Sequence, residues 1–124
     1  MIEAEYQDLF VNELRKWGAY AKPLVGGMFN SGQPDITVTS MTGAISFVEL
    51  KVWRGTKVPT IKQLLSLLKG PQCNVIIHQL WERKAPCYLI AFIAASDENC
   101  AYCDSSQEVH VDKWKHIAKL LAQT

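Results

Sequence analysis

No apolar run in this sequence approaches the roughly 18 residues that a bilayer-spanning helix needs. Histidine is scarce, with only His78, His110 and His116, and no HxH or HxxxH spacing marks a histidine-based metal centre. An excess of one charge is missing too. Thirteen Lys and Arg oppose twelve Asp and Glu, which excludes a protein that holds nucleic acid by overall charge alone. There is no internal repeat and no low-complexity tract. The N-terminal Met1-Ile2-Glu3-Ala4-Glu5 lacks the basic and apolar segments of a signal peptide. The expectation is a cytoplasmic protein with no membrane partner, whose four cysteines stay reduced.

What is present is a chain of 124 residues, 48% apolar and 20% charged, expected to form one globular domain over residues 1–124. Its charges are unevenly placed. Lys51, Arg54, Lys57, Lys62 and Lys69 follow one another with no acid between them, whereas Glu3, Glu5, Asp8 and Glu13 crowd the N-terminus. A basic face on a neutral protein fits phosphate contact, although charged faces are often merely solvated.

Hydrophobic periodicity predicts a helix over residues 2–17 stopped by Gly18, and a short edge strand over 20–25. Gly26-Gly27 and Asn30-Ser31-Gly32 bracket a turn-rich loop. Residues 35–39 and 44–52 alternate as the strands of a hairpin. Pro59 and Thr60 open a helix over roughly 60–69, where Thr60 and Gln63 have capping-box spacing. Strands are predicted at 73–78 and 87–94, an irregular polar segment at 96–107, and a last helix capped by Asp112. The order implies an α/β fold, a mixed central sheet flanked by helices, with at least one parallel pair.

The stretch Gly32–Lys51 is the chemical centre. Asp35, Glu49 and Lys51 are its ionisable residues, set in otherwise apolar strands. Side chains alternate along a strand, so Glu49 and Lys51 share a face about 7 Å apart, with Phe47 and Trp53 beside them. Asp35 lies at the open end of the same hairpin. Burying unpaired charge is unfavourable, and a bound cation relieves it. Two carboxylates plus a substrate oxygen suffice for Mg²⁺, and Lys51 is placed to orient a water or offset phosphate charge. Glu3, from the first helix, offers a further carboxylate. Trp53, on the same strand face, offers a surface for stacking an unpaired base.

These residues resemble the PD-(D/E)xK nuclease superfamily, whose motif is Pro-Asp, a hairpin, then Glu-x-Lys. Pro34-Asp35 and Glu49-Leu50-Lys51 match it, with 13 residues between the acids. Within the superfamily the chain is most similar to the small stand-alone VRR-NUC nucleases of phages. The likeness covers residues 2–70: Glu3-Ala4-Glu5-Tyr6-Gln7, Gly18, Asn30, Gly32 to Asp35, Arg54-Gly55 and Thr60 to Gln63. It implies a restriction-endonuclease-like fold and Mg²⁺- or Mn²⁺-dependent hydrolysis of DNA phosphodiesters, with Holliday-junction-resolvase-like action on branched DNA by a homodimer. It implies that Glu3, Asp35, Glu49 and Lys51 are catalytic, the three acids holding metal, with Gln7 and Gln63 in support and Glu5 as the alternative helix carboxylate. The loop before Gly32 lacks the family's basic residues, which leaves Arg54, Lys57 and Lys62 as the expected DNA contacts.

Two other readings stand beside this one. The same fold can bind nucleic acid or protein without cutting. Separately, Cys100-Ala101-Tyr102-Cys103 has the spacing of half a zinc site, with Asp104 and His110 nearby. Gln63 has a purely structural reading as a capping residue.

Overall fold

The computed structural model describes residues 1–24 and 32–124. The expected turns at Gly26-Gly27 and Asn30-Ser31 lie outside the described residues. The first helix, α1 (Glu3–Lys16), has acidic residues in its first turn and Arg15 and Lys16 in its last, both favoured by the helix dipole. Tyr6, Phe10, Val11 and Leu14 are its buried stripe. Gly18 ends it at φ +93°, a left-handed conformation that glycine adopts without strain.

The sheet has six strands in sequential spatial order: β1 (Tyr20–Pro23), β2 (Ile36–Thr39), β3 (Ile45–Trp53), β4 (Cys87–Ile93), β5 (Asn99–Cys103) and β6 (His110–Lys113). Neighbours are antiparallel except β3 and β4, which run parallel with Phe47 opposite Cys87 and Trp53 opposite Ile93. The connection between those two strands carries α2 (Ile61–Leu65), α3 (Gly70–Val75) and a π-helical segment (Ile76–Trp81). The last helix is α4 (Trp114–Gln123).

Strand alternation divides the core in two. On one face, Ala21, Ile36, Val38, Val48, Leu50 and Phe92 pack against α1 and α4. Phe92 anchors that layer, stacked on Tyr6 at 4.5 Å between centroids and edge-on to Trp114 at 5.8 Å. On the other face, Leu89, Ala91, Cys87 and Cys103 pack against Leu64, Leu68, Ile76 and Trp81. Glu49 and Lys51 belong to this second face, as alternation requires.

Several expected elements differ. The strand expected at 73–78 is helical. Cys73, Ile76, Ile77, Leu80 and Trp81 repeat at helical spacing, and that stripe covers β4. The helix expected over 60–69 is shorter: α2 ends at Leu65, and Gly70-Pro71 opens α3 instead of ending a helix. Proline is tolerated in a helix's first turn, where its missing N–H has no partner to lose. The segment 96–107 is not irregular throughout, since it contains β5. Asp112 lies in β6, and its carboxylate accepts from the Lys113 N–H at 2.7 Å while Lys113 occupies the cap position.

β5 also answers the zinc reading. Cys100 packs in the α1–α4 core and Cys103 in the opposite one, so the pair cannot share an ion. Burial pushes both thiols up to about 12.

Candidate metal centre

β3 outruns β2. Their pairing begins at Ile36 opposite Val48, so residues 49–53 have β4 on one side and no β2 partner on the other. That notch is where the charged groups gather. Asp35, one residue before β2, is fixed on both sides of the notch. Its carbonyl accepts from the Leu24 N–H at 2.8 Å, and its Oδ2 accepts from the Leu50 N–H at 2.8 Å. The side chain thus replaces the ladder bond that a longer β2 would have made.

Glu49 is fully buried. Its Oε2 accepts from Gln72 Nε2 at 3.0 Å and lies 3.5 Å from Lys51 Nζ. Its Oε1 is buried with no hydrogen-bond partner among the described residues. A buried carboxylate oxygen left unpaired is costly unless a cation or proton meets it. Glu3, in the first turn of α1, brings the third carboxylate. Oxygens of Glu3, Asp35 and Glu49 all lie within 4.8 Å of one another. Tyr6 holds that end of α1 down through its stack on Phe92. Glu5 lies outside the cluster, to which α1 contributes Glu3.

Three acids and one amine in this space disfavour full ionisation. Burial, then the charge of Asp35, push Glu49 up to about 8, against the opposing pull of Lys51. Burial raises Asp35 above the usual carboxylate range, although the Leu50 N–H and Lys51 act the other way. Burial also raises Glu3, with Lys51 lowering and Asp35 raising it. An all-oxygen donor set with an unmet buried oxygen fits a hard divalent cation such as Mg²⁺ or Mn²⁺.

This arrangement carries a measurable consequence. All three carboxyls bind protons more tightly folded than unfolded, so the stability they contribute to the metal-free fold is fully present below about pH 4. The fold loses stability as pH rises toward about 8, where Glu49 ionises. Denaturant titrations in EDTA at pH 5 and pH 8.5 are expected to differ by a few kcal/mol, with the higher pH less stable. Millimolar Mg²⁺ or Mn²⁺ is expected to shrink that gap by binding the ionised cluster. Equal stability at the two pH values without metal contradicts this account of Glu49.

The other residues singled out in the sequence occupy different surroundings. Gln7 is half-buried on α1 and hydrogen-bonds no member of the cluster among the described residues. Gln63 completes the α2 capping box: its Oε1 accepts from the Thr60 N–H at 3.0 Å, and its own N–H donates to Thr60 Oγ1 at 3.2 Å. Lys57 and Lys62 are exposed, and Arg54 donates to the Met1 carbonyl at 3.1 Å, close to the Glu3 end of α1. Trp53 is half-buried, with its indole N–H donating to the Lys57 carbonyl at 2.7 Å. Gly55 lies against its ring, where a Cβ would meet Cζ2 at 2.6 Å.

Gln72 is the residue that sequence reasoning missed. It sits in the first turn of α3, where its Oε1 accepts from the Lys69 N–H at 3.0 Å and its Nε2 reaches Glu49. One amide both caps the helix and orients the carboxylate. Reading Gly70-Pro71 as a helix start would have placed Gln72 at a capping position facing the sheet. Gln72→Ala is expected to weaken divalent-metal binding by about 10–100-fold, as loss of a ligand's supporting partner does. Gln63→Ala is expected to cost about 1 kcal/mol of stability and leave metal affinity unchanged. Calorimetric titration with Mn²⁺ separates the two.

No family model matches the chain, and a search of curated proteins finds no relative in sequence. Among solved structures, the chain is similar to Hjc, a Holliday junction resolvase from the archaeal hyperthermophile Archaeoglobus fulgidus. The TM-score is 0.50, covering 97% of this chain and 93% of that one, at 13% identity. The likeness is one of architecture: the mixed six-stranded sheet with flanking helices is the restriction-endonuclease-like fold.

Proposed function

We propose that this chain is a divalent-metal-dependent nuclease of the PD-(D/E)xK type, one catalytic domain spanning residues 1–124 that hydrolyses DNA phosphodiester bonds. One observation carries the reading. Carboxylate oxygens from a helix, a loop and a strand lie within 4.8 Å of one another, and Glu49 has one buried oxygen with no partner among the described residues and the other 3.5 Å from the Lys51 amine. A surface ion pair on an ordinary strand has no reason to bury a glutamate beside two other acids.

Asp35, Glu49 and Glu3 would hold Mg²⁺ or Mn²⁺. Bound there, the ion supplies a water of lowered pKa and Lewis-acid polarisation of the phosphate. The protein's own groups do the rest. The Leu50 N–H and Gln72 amide fix the two strand-end carboxylates. Lys51 orients the attacking water and offsets the charge that builds on the phosphate oxygens. Arg54, Lys57 and Lys62 attract the DNA backbone, and Trp53 flanks the cleft beside them. The fold shared with the archaeal Holliday junction resolvase supports action on branched DNA, and the homodimer follows from the resemblance read in the sequence. The Glu3–Gln7, Pro34-Asp35 and Glu49-x-Lys51 motifs support a VRR-NUC-like enzyme of phage type, acting in the host cytoplasm.

Purified protein incubated with junction, flap, hairpin and duplex DNA tests this directly. Cleavage is expected with Mg²⁺ or Mn²⁺, absent in EDTA, and lost in Asp35→Ala. Equal cleavage by wild type and Asp35→Ala, or none by either, sinks the enzyme reading and leaves a non-catalytic binding module on the same fold.

A further inference from the structure

The acidic cluster occupies one end of a longer open surface. Lys22 pairs with Thr37 and Tyr20 with Thr39, and Asp35 precedes Thr37 by two residues. Alternation therefore puts Tyr20, Lys22, Thr37 and Thr39 on the face that carries Asp35 and Glu49. Their neighbours Ala21, Ile36 and Val38 are buried on the opposite face beneath α1 and α4. Residues of α2, α3 and the π-helical segment pack over β3, β4 and β5, and among the described residues none of that second core cluster comes from β1 or β2. Tyr20 is 67% exposed and Ile45 55% exposed, Lys22 is exposed, and Thr37, Thr39 and Phe47 are half-buried.

We propose that this face is the path of a single nucleic-acid strand leading out of the cleavage site, with Lys22 holding a backbone phosphate and Tyr20 stacking on a base. The inference rests on the nuclease reading and extends it to how one strand is held. The spacing suits it. Lys22 and Thr37 lie one strand repeat, about 7 Å, from Asp35, and Tyr20 and Thr39 one repeat further. The charge suits it as well. Beyond Asp35 this stretch of β1 and β2 presents one cation and no carboxylate, and Lys22 is in no ion pair among the described residues. Thr37 and Thr39 add hydroxyl donors of the kind that contact phosphates. An exposed aromatic on an open sheet offers its ring to an unpaired base, whereas bases within a duplex already stack on each other. An unpaired strand beside the scissile bond is what a branched or flapped substrate provides and a continuous duplex does not.

Fluorescence anisotropy with a fluorescein-labelled single-stranded 12-mer, a flap and a blunt duplex tests this. Ca²⁺ in place of Mg²⁺ is the probe condition, so that binding is read apart from cleavage. Tyr20→Ala is expected to weaken the single strand about tenfold, and Tyr20→Phe less than about twofold. Lys22→Ala is expected to lower the salt dependence of strand binding by about 0.7 in slope. Affinity for blunt duplex is expected to stay within about twofold in all three variants, and circular dichroism checks their folding. Wild-type strand affinity in both Tyr20→Ala and Lys22→Ala overturns the proposal. So does a Tyr20→Ala variant that shifts a dimer to monomer in sedimentation without altering strand affinity, since the face is then a contact between copies. If wild-type protein fails to cut with either metal while Tyr20→Ala still weakens the strand, the nuclease reading falls and the strand path stands.

Discussion

Glu49→Gln is expected to abolish cleavage, by at least about a thousandfold, while making the metal-free protein more stable at pH 8. Both effects come from the same carboxylate. Glu49 is fully buried, with one oxygen unpartnered among the described residues, and burial together with Asp35 raises it to about 8. Near that pH the wild-type fold either ionises a buried group or keeps a proton that the unfolded chain has released. Glutamine removes the titration. Its amide retains an oxygen to accept from Gln72 and presents N–H donors toward the Asp35 carboxylate. The gain is expected to be about 1–3 kcal/mol, because each pH unit by which the folded carboxyl is raised costs about 1.4 kcal/mol once the unfolded chain has ionised, less what is lost when the nearly buried Lys51 amine 3.5 Å away is left without its carboxylate. A domain of this size translates that into a melting point higher by several degrees. At pH 5, where the wild-type carboxyl is protonated when folded, the difference is expected to shrink. Saturating Mg²⁺ reverses the order, because only the wild type gains binding energy from the ion. Melting curves in EDTA and in Mg²⁺, alongside a cleavage assay, read all of this from two proteins. A variant that melts well below wild type in EDTA at pH 8 shows that Glu49 is structural.

The strained choice at Glu49 was legible in the sequence because it is local. Strand alternation alone puts Glu49 and Lys51 on one face, and the hairpin alone brings Asp35 to their level. Glu3 needed a motif, since no local pattern says that the first turn of a helix on one side of the sheet reaches carboxylates on the other. The notch at the end of β2 explains how it does. Gln72 was illegible for a related reason. Its role depends on α3, and the run Asn74-Val75-Ile76-Ile77 has the β-branched composition of a strand. Tertiary context overrides that propensity: the segment is helical, Ile76 and Ile77 join Cys73, Leu80 and Trp81 in a stripe over β4, and the Lys69–Gln72 bond caps its start. Cys100 and Cys103 show the converse error. Their spacing suggests a shared ligand role only while the segment is taken for a loop. In a strand, positions three apart face opposite ways, and each thiol is simply a small buried apolar group.

Lys51→Met separates rate from metal affinity in a way that loss of an acid cannot. Methionine keeps most of the apolar stem that lets Lys51 lie nearly buried, and it removes the amine. Cleavage is expected to fall by about 10²–10³-fold in kcat, the scale of losing one charge-stabilising group at a transition state, with KM for DNA changed little. Metal affinity is expected to respond differently at the two ends of the pH range. Lys51 is the group that lowers Glu49 against burial and Asp35. Without it the carboxylate holds its proton to higher pH, so Mn²⁺ is expected to bind more weakly near pH 6. Near pH 9 proton competition is weaker and removing a cation from beside the site favours the ion, so the gap in Mn²⁺ affinity is expected to narrow or close. Lys51→Arg is not expected to restore the rate, since a planar fork does not reproduce a point charge in a space set by a 3.5 Å contact. Calorimetric Mn²⁺ titrations at the two pH values, with single-turnover cleavage at the higher one, decide the matter. If Lys51→Met lowers metal affinity equally at both, the amine supports the ligands and does not act on the phosphate or the water.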